Sequence, residues 1–286
     1  MSEGGLLCVH AHPDDETIST GGVLARAAAE GLPAAVVTCT DGALGEIVGA
    51  GMDPEEVRPR LAEVRDAELA AALSALGLAH GPRFLGFRDS GMMGTEGNAD
   101  PRAFWQADVH EAVSRLVVHI RALRPRVLVT YDPFGGYGHP DHIQTHRVGL
   151  LAAEAAGVPK LYPDAGPAWR PHKVYYSAIP ISIVAEANRR LLAAGLPSPF
   201  GEEVDPALVP VGTPDELVTT RVDVRTWLPR KRAAMRAHAS QIGEDSFFLN
   251  FPEDISEMAF GVEHFVRVRS DVTASTPEDD LFAGLR

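Results

Sequence analysis

The stretch "LLCVHAHPDDE", residues 6–16, joins an apolar run directly to five ionisable side chains. Its first half is predicted to be a buried strand, and the segment "GGVLARAAAEG", residues 21–31, is predicted to be a helix that ends at a glycine. The turn between them therefore carries an unusual density of bases and metal ligands, which suits a functional site at the end of a strand. The ionisable residues are His10, His12, Asp14, Asp15 and Glu16.

The alternation of strand and helix continues along the first half of the chain. Further strands are predicted over residues 34–40, 82–87 and 126–131, and helices over residues 54–76, 104–123 and 139–156. Strands and helices that alternate with short turns favour a parallel sheet covered on both faces. The right-handedness of parallel crossovers then predicts an α/β fold, a Rossmann-like three-layer sandwich with a mainly parallel sheet and a C-terminal elaboration.

Beyond about residue 158 the pattern becomes less regular. Loops are predicted over the Pro- and Gly-rich residues 162–172 and 195–216, and a surface extension over residues 273–286. Strands are predicted over residues 173–180, 216–224 and 264–269, and helices over residues 182–194 and 229–241. We expect one continuous domain, in which residues 1–160 form the catalytic core with a metal site and residues 161–286 complete the substrate cleft.

The composition is that of an ordinary globular protein, with 45% hydrophobic and 23% charged residues among 286. A formal net charge of −13 argues against a general nucleic-acid binder, which needs clustered Lys and Arg. We expect no signal peptide and no membrane span, and the two cysteines, Cys8 and Cys39, are expected to be buried free thiols of a cytoplasmic protein. These features predict a small-molecule substrate and no nucleic-acid or membrane partner, and they leave the oligomeric state open.

A second group of ligand-type residues, "YDPFGGYGHPDHIQTH", follows the predicted strand over residues 126–131. Ligands of open parallel sheets bind at the carboxyl ends of the strands, so both groups are expected at one edge of the sheet. His12, Asp15 and His142 are predicted to hold a metal ion there. Two imidazoles and one carboxylate leave positions open for water, which is the pattern of a catalytic zinc site. One Zn²⁺ per subunit is expected, with Fe²⁺ as the alternative.

Three further residues are predicted to supply acid–base chemistry. Asp14, next to the ligand Asp15, is the candidate general base. His139 is expected to stabilise an oxyanion or to protonate a leaving group, and Asp141 could accept a hydrogen bond from an imidazole and fix its tautomer. A single His-Pro-Asp tripeptide is most often a turn, but two of them after two strands favour a shared site.

The remaining ionisable residues of the two groups have less specific interpretations. His10 alternates with His12 along the strand, so it is expected to face the interior. His146 lies four residues after His142 but is expected only to pack beside the site. Glu16 could cap the helix or steady Asp14.

The motifs "HAHPDDE" and "GGYGHPDHIQTH" resemble those of the zinc-dependent de-N-acetylases of the GlcNAc-phosphatidylinositol deacetylase (LmbE-like) superfamily. Within it, the chain is most similar to the mycothiol-pathway GlcNAc-inositol deacetylase and mycothiol S-conjugate amidase. The resemblance extends over about residues 5–245 and includes "VVTCTDGALGEI", "RDAELAAALSALG", "GFRDSGMMGT" and "RAHASQI". It implies the same ligands and the same base, and it implies that Asp141 tunes His139.

The resemblance adds three residues to the site. It implies that Arg65 and Asp89 contact inositol and sugar hydroxyls, although Arg65 could instead form a surface ion pair with Glu63 or Asp66. It also implies that Tyr137, which lies between two glycines, reaches the reaction intermediate from a mobile loop.

The reaction expected from these features is hydrolysis of an N-acyl glucosamine, which gives an amine and acetate. Asp14 would activate water, and protonated His139 or Asp14 would return a proton to the amine. The alternatives are the conjugate amidase, a de-N-acetylase of another amino sugar, and a metal-containing sugar-binding protein. Ser19 and Thr20 replace a Lys that the resemblance implies for the amidases, which favours a small uncharged glycoside, whereas the ending "DDLFAGL" resembles the amidases.

Overall fold

The computed structural model describes residues 4–198 and 211–285, and one seven-stranded sheet runs through them. Its strands are β1 Leu6–His10, β2 Ala34–Thr40, β3 Phe84–Phe87, β4 Val127–Thr130, β5 Lys173–Ala178, β6 Thr220–Asp223 and β7 Val262–Ser270. The α-helices of the described residues are α1 Asp15–Ser19, α2 Gly21–Ala29, α3 Pro54–Val57, α4 Leu61–Leu76, α5 Val109–Leu123, α6 Pro140–Ala155, α7 Ile181–Ala193, α8 Leu228–Ala237, α9 Phe247–Asn250 and α10 Glu253–Phe260.

The strand order is β3-β2-β1-β4-β5-β7-β6. The first five strands pair in parallel, and β7 pairs antiparallel with both β5 and β6. The chain leaves β1 toward β2 and β3 on one side, and returns to form β4 and β5 on the other. The connections after β1 and β4 therefore diverge, which opens a crevice at the carboxyl ends of these two strands.

Both faces of the sheet are buried. Successive side chains of the central strand point to opposite faces, so they pack into different hydrophobic clusters. Leu6 and Cys8 of β1 pack into one hydrophobic cluster with α2 and α4, while Leu7 and Val9 pack into a second cluster with α5 and α6. Cys8 and Cys39 are buried free thiols that belong to different clusters. No helix of the described residues is long and apolar enough to cross a membrane.

The expected α/β fold with a mainly parallel sheet is confirmed, and the differences lie at element ends and in the C-terminal part. The helix predicted from residue 104 begins only at Val109, because the side chain of Asp108 accepts a hydrogen bond from the Glu111 amide and caps it. The short helices α9 and α10 were not predicted. The loop predicted over residues 195–216 lies partly outside the described residues.

The C-terminal tail was wrongly expected to be a surface extension, because Leu281 and Phe282 are buried in the core. Its Glu278 side chain is fully buried and pairs with Lys173 Nζ at 2.6 Å. The same carboxylate accepts hydrogen bonds from Tyr175 at 2.8 Å and Thr220 at 2.9 Å. Donors on β5 and β6 thus hold the tail against the sheet.

Replacing Glu278 with Ala should leave the Lys173 ammonium buried without its partner. We expect the free energy of unfolding, measured by urea denaturation, to fall by about 3–5 kcal/mol, as is typical when one member of a buried ion pair is removed. The control Glu253→Ala removes an exposed carboxylate and should cost less than about 0.5 kcal/mol. Equal effects of the two substitutions would contradict the role of Glu278.

Candidate active site

A cavity of about 630 Å³ opens at the carboxyl ends of β1 and β4. Both predicted groups of ionisable residues contribute to its wall. The sequence-predicted residues that line it are His12, Asp14, Asp15, Arg65, Asp89, Tyr137, His139 and His142. Asp141 lies directly behind this wall and is fully buried.

His12, Asp15 and His142 point donor atoms at one common space. His142 Nε2 lies 3.3 Å from His12 Nδ1, and Asp15 places Oδ2 3.5 Å from His12 Nδ1 and Oδ1 3.5 Å from His142 Nε2. Donors about 2.0–2.1 Å from a tetrahedral metal ion are separated by about 3.3 Å, so the spacing of the two imidazole nitrogens fits a metal ion of the size of zinc, with the Asp15 carboxylate beside both. Two groups of residues have single donor atoms within 4.8 Å of one another: His12, His139 and His142, and His12, Asp89, His139 and Asp141.

The second nitrogen of each candidate imidazole ligand is occupied, as in most metal-binding histidines. His12 Nε2 lies 3.2 Å from Asp141 Oδ2, and His142 Nδ1 lies 3.1 Å from the Gly135 carbonyl oxygen. Gly135 has a φ of +67°, and a Cβ atom there would lie 2.5 Å from Cβ of His142. Only glycine therefore brings this carbonyl so close to the ring. The donor set and the support behind it fit a divalent metal ion.

Asp141 contacts a different imidazole from the one that was predicted. Its carboxylate accepts hydrogen bonds from His12 and from the amide and hydroxyl of Ser90, whereas only its backbone amide contacts His139, with Asp141 N 3.1 Å from Nδ1. The Asp141 carboxylate hydrogen-bonds His12 and not His139, and it acts on His139 through its charge, which opposes the lowering of the His139 pKa. Asp141 orients His12 instead.

Asp14 lies in a strained backbone conformation beside the common space. Its φ of 123° is rare for a residue with a side chain and costs about 1–3 kcal/mol, a strain that often marks a functional site. Its Oδ1 lies 3.2 Å from Arg65 Nη2. Burial raises the pKa of Asp14 to about 6, with Arg65 opposing the rise. A carboxyl group with this pKa can exchange protons near neutral pH.

His139 lies at the N-cap of α6, where its Nδ1 accepts the hydrogen bond from the Asp141 amide. The proton of the neutral ring must then be on Nε2. Burial, together with the neighbouring His12 and His142 rings, lowers the pKa of His139 to about 4. A protonated ring would also turn an N–H toward the amide N–H of Asp141, so the neutral Nε2–H form is favoured.

Arg65 is buried rather than on the helix surface, and it pairs with neither Glu63 nor Asp66. Its guanidinium donates hydrogen bonds to the carbonyl oxygens of Gly42, at 2.8 Å, and Pro13. Its ion pair is with Asp14. The predicted contact with substrate hydroxyls remains a prediction, since Arg65 also lines the cavity.

Asp89 and Tyr137 both line the cavity. The Asp89 oxygens accept hydrogen bonds from the Leu44 amide at 3.1 Å and the Gly91 amide at 2.8 Å, and one lies 3.7 Å from His12 Nε2. Tyr137 is 47% exposed at the mouth, with its ring 4.9 Å from that of His142. Their predicted roles toward substrate remain predictions.

Four residues near the site had no specific role predicted from the sequence: His10, His146, Tyr131 and Ser90. His10 contacts the Tyr131 and Thr20 hydroxyls and offers no donor to the common space, and His146 contacts the Tyr131 carbonyl. Tyr131 itself, whose ring stacks on His142 with centroids 4.4 Å apart, was not predicted, although it begins the second motif. Ser90 was also missed, despite its place beside Asp89.

The far part of the cavity is apolar. Four rings of α9, α10 and the segment between them line it, and we call them the aromatic wall: Phe247, Phe248, Phe251 and Phe260. The Phe251 and Phe260 rings stack with centroids 5.9 Å apart. Lys231 also lines the cavity, but its ammonium is paired with Glu263 at 2.6 Å. The cavity therefore joins an ionisable end to an apolar end.

Comparison with known proteins identifies relatives that match nearly the whole length of the chain. A model of the PIG-L family, described as GlcNAc-PI de-N-acetylase, matches residues 7–153. The chain is 48% identical to the 1D-myo-inositol 2-acetamido-2-deoxy-alpha-D-glucopyranoside deacetylase of Geodermatophilus obscurus, over 98% of this chain and 97% of the relative. It is 46% identical to the protein of the same name from Acidothermus cellulolyticus, over 98% and 94%.

Solved structures share the fold at lower identity. The N,N'-diacetylchitobiose deacetylase of Pyrococcus horikoshii has a TM-score of 0.60 at 18% identity, and the alignment covers 93% of this chain and 84% of that one. The 4-carboxy-2-hydroxymuconate hydratase GalB of Pseudomonas putida has a TM-score of 0.59 at 19% identity, over 96% and 99%. At such identities the similarity shows the fold alone.

Substitution of His12, Asp15 or His142 with Ala should abolish tight metal binding, because each supplies one of three protein ligands. The measurement is metal content after dialysis against a weak chelator. His146→Ala is the matched control, since it removes an imidazole from the same helix as His142 without touching the common space. Full stoichiometry and affinity in any of the three ligand variants would show that its residue is not a ligand.

Replacing Arg65 with Met should raise the pKa of Asp14 further above about 6, because the guanidinium that opposes the effect of burial is removed. The pKa can be followed by ¹³C NMR of the Asp14 carboxyl carbon. Arg88→Met, which removes a guanidinium that faces Asp100, is the control and should leave the titration in place. A pKa of Asp14 that is unchanged or lowered in the Arg65 variant would refute the assignment of this ion pair.

Proposed function

Since the chain belongs to the PIG-L family of GlcNAc-PI de-N-acetylases, we propose that it hydrolyses the acetamide of an N-acetylglucosaminyl glycoside such as GlcNAc-inositol. Membership makes it a metal-dependent hydrolase of an amide bond. The observation that carries the proposal is that Asp14 lines the same cavity as the converging donors of His12, Asp15 and His142. Relatives named for this deacetylation match nearly all of the chain.

We propose Zn²⁺, one ion per subunit, as the metal at His12, Asp15 and His142, with Fe²⁺ as the alternative. Two nitrogens and a carboxylate at these spacings suit a divalent ion of this size. Such an ion, when bound, supplies a Lewis acid and lowers the pKa of water to about 7. Although burial raises the pKa of Asp15, the His142 and His12 imidazoles hold it well below its usual range, so Asp15 is available as an anionic ligand.

Asp14 acts as the general base in the proposed reaction. Its carboxylate lines the cavity, and Arg65 fixes one oxygen while the other remains free of any protein hydrogen bond among the described residues. Asp14 takes a proton from the water that attacks the acyl carbon. It then returns this proton to the nitrogen of the departing amine, so that one carboxyl group serves both steps.

His139 stabilises the negative charge that develops on the acyl oxygen. Because its Nδ1 accepts the Asp141 amide, the Nε2–H is the donor that it can offer to a substrate. A neutral donor fixed at the start of α6 requires no proton transfer, which distinguishes this role from that of an acid. Of the two sequence-based proposals for proton return, Asp14 is thus favoured over protonated His139.

The polar wall around the ionisable end suits a polyhydroxylated substrate. Arg65, Asp89, Glu46 and Gln241 offer donors and acceptors there, and Tyr137 lies at the mouth. We propose that the hydroxyls of the small sugar glycoside bind along this wall. With Cys8 and Cys39 buried as free thiols, a reducing cytoplasm is the proposed location.

The aromatic wall favours a second candidate, the hydrolysis of a bulkier mycothiol S-conjugate with an apolar substituent. The residues near the cavity entrance do not favour the mycothiol S-conjugate as the substrate. Ser19 lines the cavity without adding charge, Thr20 is buried against His10, and the nearby Lys231 is neutralised by Glu263. We therefore rank the small glycoside first.

Side-by-side kinetics with purified, metal-loaded protein test this ranking. We expect a higher kcat/KM for acetate release from GlcNAc-inositol than for cleavage of a bulky mycothiol S-conjugate. A clear preference for the conjugate would reverse the ranking, and cleavage of neither amide would refute the proposed function.

Asp14→Asn should retain the metal ion yet lose about 100-fold or more in kcat for acetate release, because a positioned proton-transfer group is removed. In the wild type, kcat/KM should fall as the pH decreases through about 6, since Asp14 becomes protonated and cannot accept a proton. Asp132→Asn, which removes a charge from the cavity wall but keeps the oxygen that accepts the Phe134 and Gly136 amides, is the control. Near-normal turnover in the Asp14 variant would exclude it as the base.

A further inference from the structure

Glu16 is a fully buried carboxylate that the proposed reaction does not use. Its Oε2 accepts a hydrogen bond from the backbone amide of Asp14 at 3.0 Å. Its Oε1 accepts one from Nε2 of His238 at 2.7 Å. The Glu16 side chain thus connects the backbone of the candidate base Asp14 to His238, which lies 222 positions after Glu16.

The peptide group between Pro13 and Asp14 is held by hydrogen bonds at both ends, and we call this arrangement the clamp. Its N–H belongs to Asp14 and its carbonyl belongs to Pro13. Glu16 holds the N–H, and Arg65 Nη2 donates to the carbonyl oxygen. With both ends fixed, the peptide plane cannot rotate, and α1 fixes the chain that follows.

This clamp lies at a strained point of the backbone. Asp14, between the fixed peptide plane and helix α1, is held at φ 123°, and without these restraints its backbone would relax to another φ. The same φ directs the Asp14 side chain into the cavity beside Arg65. The position of the base therefore depends on the contacts that hold its own amide.

The support behind Glu16 is also rigid. His238 is fully buried at the end of α8, and Ser240, two residues later, donates its amide and hydroxyl to the Glu68 carboxylate at 2.7 Å. Glu68 lies on α4, the helix that carries Arg65. Both sides of the clamp are thus attached to one helix, which packs extensively against α8.

We propose that Glu16 and His238 are positioning residues that hold the Asp14 carboxylate in its reactive orientation. The inference rests on the proposed role of Asp14 as general base. The clamp acts through the hydrogen bond to the Asp14 amide, so an uncharged acceptor at position 16 can replace the carboxylate. It requires no change in the ligands His12, Asp15 and His142.

The test compares Glu16→Ala with Glu16→Gln in the metal-loaded enzyme. Glu16→Ala should lower kcat for acetate release by about 10- to 100-fold with KM within about twofold, because the base is misplaced while substrate binding is retained. Glu16→Gln keeps an oxygen that can accept the Asp14 amide, so it should recover kcat to within about threefold of the wild type. Metal stoichiometry should be unchanged in both variants.

Glu278→Ala is the matched control, since it also truncates a fully buried glutamate but does not line the cavity. It should lower stability and leave kcat per folded molecule unchanged. A second readout does not depend on activity: hydrogen exchange at the Asp14 amide, measured by NMR, should be slow in the wild type and Glu16→Gln and fast in Glu16→Ala.

Three results would overturn the inference: normal kcat in Glu16→Ala, no recovery in Glu16→Gln, or an equal loss of kcat in Glu278→Ala. Failure of the proposed function gives a different result, because the wild type would then release no acetate from the glycoside. In that case the exchange measurement still decides whether Glu16 holds the Asp14 backbone.

Discussion

The register of β1 against β4 is the constraint on which the site depends. The two strands pair in parallel, with Cys8 opposite Val129, so their carboxyl ends lie side by side. The connections that follow then carry His12 and His142, which are 130 residues apart, to within 3.3 Å of each other. A shift of one residue in this register would point these connections differently and would flip the side chains of β1 between the two faces. The candidate metal site is therefore a consequence of the central strand pairing.

The C-terminal part of the chain stabilises the turn after β1, which is short and strained. Glu263 on β7 accepts hydrogen bonds from the amides of Gly22 at 2.7 Å and Val23 at 2.8 Å, and so places a carboxylate at the start of α2. Lys231 of α8 pairs with the same carboxylate. Together with the contact between Glu16 and His238, these bonds attach α1 and the start of α2 to the C-terminal part of the chain. That part thus supports the turn after β1 and also lines the cavity.

The sequence predicts the parallel half of the fold because buried strands and amphipathic helices have distinct periods, and the two ligand groups follow directly from the ends of two such strands. It could not predict that β7 inserts between β5 and β6, since antiparallel pairing of distant segments leaves no local signal. The burial of the tail could not be predicted for the same reason, because Lys173 and Tyr175, the partners of Glu278, are distant from it in the sequence. In the site, residue types and spacing indicated His12, Asp15 and His142, but not which imidazole Asp141 would contact. That choice depends on the direction of one side chain in the first turn of α6, which spacing does not determine.

The proposal that His12, Asp15 and His142 hold one metal ion where β1 and β4 end can be tested by anomalous diffraction at the zinc absorption edge, from crystals of the purified protein. We expect a single strong anomalous peak per subunit, about 2.0–2.1 Å from His12 Nδ1, His142 Nε2 and an Asp15 oxygen. A peak located instead between Asp89 and His139, or the absence of a peak from protein that contains stoichiometric zinc in solution, would contradict it.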